Sequence, residues 1–153
     1  MGNTLAAANS QTPVLSPAER ARPVVRSGED LPTVVPAPIP EAWIVEGYPQ
    51  ANAVELTPGG KGRCSSGLWT CTAGKFDWYY ATDEVVRITS GYAHLRFADH
   101  EQIARTGDVV AFRGGTVVRW TIPEYIEKFW VLGPPPTLLA RVSRKLAKLV
   151  RRA

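Results

Sequence analysis

The central part of the chain is a succession of short apolar-alternating runs separated by glycine, aspartate and proline. The runs fall at 53–56, 68–71, 76–80, 85–89, 93–97, 108–112, 116–122 and 125–132. Between them stand Pro58-Gly59-Gly60, Ala73-Gly74, Ser90-Gly91, Asp99-His100, Thr106-Gly107-Asp108, Gly114-Gly115 and Pro123. Alternation of period two, bounded by turn residues, marks half-buried strands. The runs are rich in Val, Ile, Trp, Tyr and Phe, which suit a pleated surface. Eight of them predict an all-β sandwich or barrel over residues 41–133 rather than alternating helix and strand. Gly91 is expected at a tight turn needing positive φ. Gly107-Asp108 opens a strand after a polar turn, and Gly114-Gly115 lets the chain reverse before Thr116.

The flanks break this pattern. Residues 1–40 contain seven prolines among Ala, Ser, Thr, Val and Arg. Proline removes backbone donors and restricts the residue before it, so this stretch reads as a disordered arm with polyproline-like segments. Val34-Val35 and Trp43-Ile44-Val45 are the parts expected to lie along the folded domain. Residues 134–136 are a stiff triple-proline spacer. The periodicity then turns helical: Leu138, Leu139, Val142, Leu146, Leu149 and Val150 form one stripe with basic residues between them. Residues 137–152 are predicted to form a basic amphipathic helix of about four turns. The chain thus divides into an arm (1–40), a barrel (41–133) and a linker with helix (134–153).

A length of 153 residues, 44% of them apolar, fits one domain with a hydrophobic core. No run of 18 apolar residues exists, and no charged start precedes an apolar stretch as in a secretory signal. Ala6 stands where a myristoylation signal wants Ser or Thr. Cys64 and Cys71 are too far apart for a CxxC site. They read as one small side chain near a turn and one on a strand, with a labile disulfide as the alternative. These features predict a cytoplasmic setting, with attachment at the membrane periphery through the C-terminal helix as the alternative. The net charge is +4 overall, but residues 41–136 carry −2 and residues 137–153 carry +6. The barrel is therefore not expected to be a nucleic-acid-binding surface.

Four stretches in order carry a resemblance. Gly67-Leu68-Trp69-Thr70-Cys71-Thr72-Ala73-Gly74-Lys75-Phe76 resembles a segment of the cupin subfamily that includes the (S)-ureidoglycine aminohydrolase domains, with Ala73 where that subfamily usually has proline. Asp83-Glu84, followed by Gly91, resembles the end of the first cupin motif. Gly107-Asp108-Val109-Val110-Ala111-Phe112, then Gly115 and Trp120, resembles the second motif, and Glu127-Lys128-Phe129-Trp130-Val131 the closing strand. The resemblance implies a double-stranded jelly roll with its site in the barrel mouth. Metal-binding cupins typically carry two histidines and a glutamate in the first motif and one histidine in the second. Carried over by position, the histidines fall on Trp78, Tyr80 and Val118, and the glutamate on Glu84. A transition metal needs several N, O or S donors converging on one point. No metal site and no cofactor are therefore expected. His94 and His100 read as ordinary exposed side chains.

Side chains alternate along a strand, so Trp78 and Tyr80 share a face, as do Val118 and Trp120. If those faces point inward, the barrel has an aromatic interior with one carboxylate, suited to a flat or apolar small molecule with one polar or cationic group. The candidate ligand-binding residues are Trp78, Tyr80, Glu84, Trp120 and Lys128. The plainer reading is core filling for the tryptophans, and for Glu84 a salt bridge at the barrel rim with Arg63, Lys75 or Lys128. Three functions follow. One is a metal-free small-molecule-binding cupin. The second, implied by the resemblance, is a hydrolase acting on a ureido or amino compound, with Glu84 as acid/base and Tyr80 as proton donor. The third is an accessory protein that meets an anionic membrane or a protein partner through residues 137–153. The resemblance also implies a homodimer.

Overall fold

The structure is a computed structural model and describes residues 31–59 and 63–134. These residues form an antiparallel all-β fold with eight strands: β1 (Val35–Pro36), β2 (Ile44–Glu46), β3 (Ala51–Thr57), β4 (Ser65–Tyr80), β5 (Glu84–Arg96), β6 (Glu101–Arg105), β7 (Val109–Phe112) and β8 (Thr116–Leu132). A single 3-10 turn, Glu41–Trp43, precedes β2. The readings of residues 1–30 as an arm and of 137–152 as a helix lie outside the described residues. Val35 and Pro36, within the stretch read as the arm, pair with Ala53 and Asn52 of β3, and Ile39 is buried.

Three long strands organise the sheet. β8 lies between β4 and β5 over nearly its whole length. On one side of a line of bends the neighbours run β3, β4, β8, β5, β7; on the other they run β2, β4, β8, β5, β6. Bending three shared strands turns one sheet into two facing layers, the jelly-roll arrangement. The inner face holds the core, whose largest fully buried side chains include Trp120, Tyr80, Phe76, Ile88 and Leu95.

The bends explain where the strand pattern misleads. Six of the predicted runs merge into three continuous strands, because the residues that break the alternation are bulges and not reversals. In β4 the register shifts between Thr72 and Gly74, opposite Ile122 and Tyr125 of β8. Pro123 sits in that bulge, where a missing N–H costs no ladder bond. Gly74 faces the Pro49 ring so closely that a Cβ there would lie 2.7 Å from a ring carbon. In β5 the register shifts on both sides of Gly91, which adopts φ +72°. Its expected positive φ is present, but the chain continues as a bulged strand instead of turning back. Gly107 and Gly115 also have positive φ and do stand at turns. β6 went unread because only Ala104 of Glu101–Arg105 is buried, as befits a charged edge strand.

Gly91 and Gly107 differ in a way that can be measured. A Cβ on Gly91 would stand 2.0 Å from the Tyr125 carbonyl oxygen, whereas one on Gly107 meets nothing within 4 Å. Gly107→Ala should cost about 1–2 kcal/mol from its left-handed backbone alone. Gly91→Ala should cost at least about 3 kcal/mol, because the central ladder must also shift. Urea titration of both variants checks this, and equal losses would show that the bulge at Gly91 is not needed.

Candidate functional site

The strand registers gather one group of side chains at the centre of the inner face. Lys128 on β8 faces Trp69 on β4 and Ile88 on β5. Trp78 on β4 faces Val118 on β8, and Trp120 lies two residues further along β8 on the same face. Glu84 opens β5 opposite Phe112 and Leu132. Alternation thus turns Trp69, Trp78, Trp120, Glu84 and Lys128 toward one another, although they come from the two ends of β4 and β8 and the start of β5.

Lys128 Nζ donates a hydrogen bond to Glu84 Oε1 at 2.9 Å. Both side chains are almost fully buried, at 6% and 7% exposure. The ammonium lies 5.1 Å from the ring centroid of Trp69, 5.1 Å from that of Trp120 and 5.8 Å from that of Trp78. Each such cation–π contact is worth up to about 2 kcal/mol when water is excluded. The three indoles also contact one another, Trp69 with Trp78 at 6.0 Å and with Trp120 at 6.3 Å. Removing one partner of a buried ion pair costs about 3–5 kcal/mol, because the other charge is left without compensation.

The surrounding side chains fix the walls. Trp120 Nε1 donates to the Tyr80 hydroxyl at 3.1 Å, and Phe76 stacks on the Trp120 ring at an interplanar angle of 8°. Tyr80 stacks in turn on Phe112. Burial pushes the Tyr80 phenol well above its ordinary range; the Glu84 carboxylate adds to this and the Trp120 hydrogen bond opposes it. Tyr80 therefore keeps its proton and serves as the anchor for Trp120. On the other side, Trp43 meets the edge of Trp78 at 5.4 Å. Trp43 and Trp78 are only partly buried, so the aromatic group reaches solvent at this corner.

The structure brings all five predicted ligand-binding residues together: Trp78, Tyr80, Glu84, Trp120 and Lys128. The Glu84–Lys128 pair, anticipated at the barrel rim, lies instead in the interior. Arg63 and Lys75, the other partners considered for Glu84, are placed differently. Arg63 is exposed, and Lys75 is hydrogen-bonded to Glu46. Trp69 and Trp43 were missed. Trp69 shares its face with Cys71 two residues on, a signal present in the alternation, but only the register reveals Lys128 as its partner. Two open grooves, about 420 Å³ and 550 Å³, lie on the outer face of β5 and β6 around His94 and Ile103. Neither is lined by the tryptophan cup. Arg119 in the first groove is bound bidentately by Asp77, whose carboxyl that hydrogen-bonded pairing lowers.

The four positions that would hold a cupin metal do not fit one. Trp78 and Val118 offer no donor, Tyr80 is a protonated phenol, and Glu84 is engaged by an ammonium that would repel a second cation. No group of three or more His, Cys, Asp or Glu is arranged for a metal among the described residues. No helix among them is long and apolar enough to cross a membrane.

Comparison with known proteins agrees with the fold. Residues 56–130 match the family described as the EutQ-like cupin domain. The matched residues run from the end of β3 into β8, and the barrel has the cupin fold. No curated protein matches the chain. The Clostridium difficile EutQ protein superposes with a TM-score of 0.52 at 18% identity, covering 58% of this chain and 71% of that one. A putative ethanolamine utilization protein Q from Salmonella typhimurium gives 0.50 at 21% identity, with coverages of 56% and 71%. A protein of unknown function of the DUF861 family from Pseudomonas syringae pv. tomato gives 0.61 at 21% identity, covering 67% of this chain and 45% of that one. At these identities the likeness shows the fold.

Both cysteines are free thiols, Cys64 exposed and Cys71 buried on β4. Burial pushes the Cys71 thiol up to about 12, against a smaller opposing effect of Lys128. A thiolate reagent should therefore titrate one thiol in the native protein at pH 8 and the second only after denaturation. Two fast native thiols would show that the core around Lys128 is open.

Proposed function

We propose that this cupin domain binds a small molecule in its tryptophan-lined cup without a metal. The observation that carries the reading is the Lys128–Glu84 pair held beneath Trp69, Trp78 and Trp120, with the partly buried Trp78 and Trp43 at the corner that reaches solvent. Indole faces supply a flat, apolar contact surface, and the ion pair supplies an orienting polar floor. A flat ligand stacked against Trp78 would meet both.

The finer resemblance to ureidoglycine aminohydrolase-like cupins would make the domain a hydrolase, with Glu84 exchanging protons and Tyr80 donating one. That activity asks for a carboxylate free to take a proton and for an accessible phenol. Here the Glu84 carboxylate is held by Lys128, and the Tyr80 hydroxyl is buried under Trp120. Fold likeness does not carry chemistry across, so binding is the reading put forward.

Benzoate, nicotinamide and benzamidine test it as flat anionic, neutral and cationic probes. At least one should raise Tm saturably and change indole emission, because binding to the native state stabilises it. Trp78→Ala should abolish that response while the protein stays folded. No Tm shift and no emission change with any probe would contradict the reading. Metal content after growth in Mn, Fe and Zn is a separate check: well below one equivalent is expected, and a stoichiometric metal whose removal lowers Tm would overturn the metal-free part.

A further inference from the structure

We infer that Trp69, Trp78, Trp120 and Glu84 form an ammonium-binding site whose resident ion is the chain's own Lys128. The inference is independent of whether any small molecule enters the cup. Its basis is the mismatch between the cupin positions and a metal. The one retained carboxylate, Glu84, still faces a cation, but that cation is covalently part of the chain and sits 2.9 Å away.

The site has the features that select an ammonium over a divalent metal. A metal needs several lone-pair donors at short range. This site presents a single carboxylate and three aromatic faces, at centroid distances of 5.1, 5.1 and 5.8 Å. Aromatic faces with one anion are the chemistry by which proteins recognise alkylammonium groups. The walls are held before any ion is considered: Trp120 is pinned by Tyr80 and Phe76, and Trp69 meets Phe76, Trp78 and Trp120. No buried side-chain nitrogen or oxygen among the described residues is left without a partner, so the site is complete with Lys128 in it. The lysine comes from β8, the central strand, and brings its ammonium within 5.1–5.8 Å of the three ring centroids. The result is a barrel whose internal positive charge does not depend on metal supply.

Lys128→Ala vacates the site while leaving the carboxylate and the three indoles. The full-length variant should lose much of its thermal stability, and n-propylammonium, which replaces the missing stem and charge, should restore it. At about 100 times its Kd such a ligand should raise Tm by roughly 10 °C. Neutral n-propanol, Mn²⁺ and Zn²⁺ should not. Equal rescue by propanol would mean that the site needs volume and not charge. Rescue by either metal would make it a metal site. Each outcome overturns the inference, as does the absence of rescue by propylammonium in a folded variant.

If Lys128→Ala does not stay folded, refolding from urea with and without propylammonium reads the same site. Lys128→Met gives a second route, since it keeps the volume and strands Glu84. Adding Glu84→Gln should then recover part of the lost Tm, whereas a further loss equal to that of Glu84→Gln alone would show that the two residues do not act as a pair.

Discussion

The buried ion pair between Lys128 and Glu84 is the constraint on which this barrel depends. Two charges removed from water are tolerated only where geometry and surroundings compensate both. Here the compensation comes from a 2.9 Å hydrogen bond and three indole faces. Each wall has its own support: Trp120 through Tyr80 and Phe76, Trp78 through Trp43, and Trp69 through its place opposite Lys128. The polar pair and the aromatic core are thus one unit. A change to any wall alters the environment of a charge as well as the packing.

That unit exists because of how the sheet bends. Trp69 and Trp78 lie on opposite sides of the β4 bulge, and Lys128 and Trp120 on opposite sides of the β8 bulge. Folding the three long strands over at Gly74, Pro123 and Gly91 turns these distant residues toward a common interior. The residues that interrupt the strand pattern are therefore the ones that build the site. The close approaches of Gly74 to Pro49 and of Gly91 to Tyr125 explain why side chains are excluded there.

Much of this could be read in the sequence, and the rest depended on long-range register. Alternating apolar runs gave the all-β class, and the cupin-like segments gave the jelly roll, because both are local signals. Alternation also put Trp78 with Tyr80 and Val118 with Trp120 on shared faces. Lys128 was among the partners considered for Glu84. What stayed hidden was the choice among Arg63, Lys75 and Lys128, and the depth of the pair, since 44 residues separate Glu84 from Lys128 and only strand pairing joins them. Gly91 and Pro123 read as stops because the same residues serve turns and bulges. Trp69 carried the right alternation but no local sign of the cation opposite it.

The central claim, a lysine ammonium held inside a tryptophan cage in the native protein, can be tested by the proton–carbon NMR spectrum of the unmodified chain. Ring currents from three indoles act on the Lys128 ε-methylene protons. One lysine ε-methylene signal should lie far upfield of the others, and it should be absent from Lys128→Met. If every lysine ε-methylene appears at its ordinary position, the ammonium is not in the cage, and the account of the barrel interior is wrong.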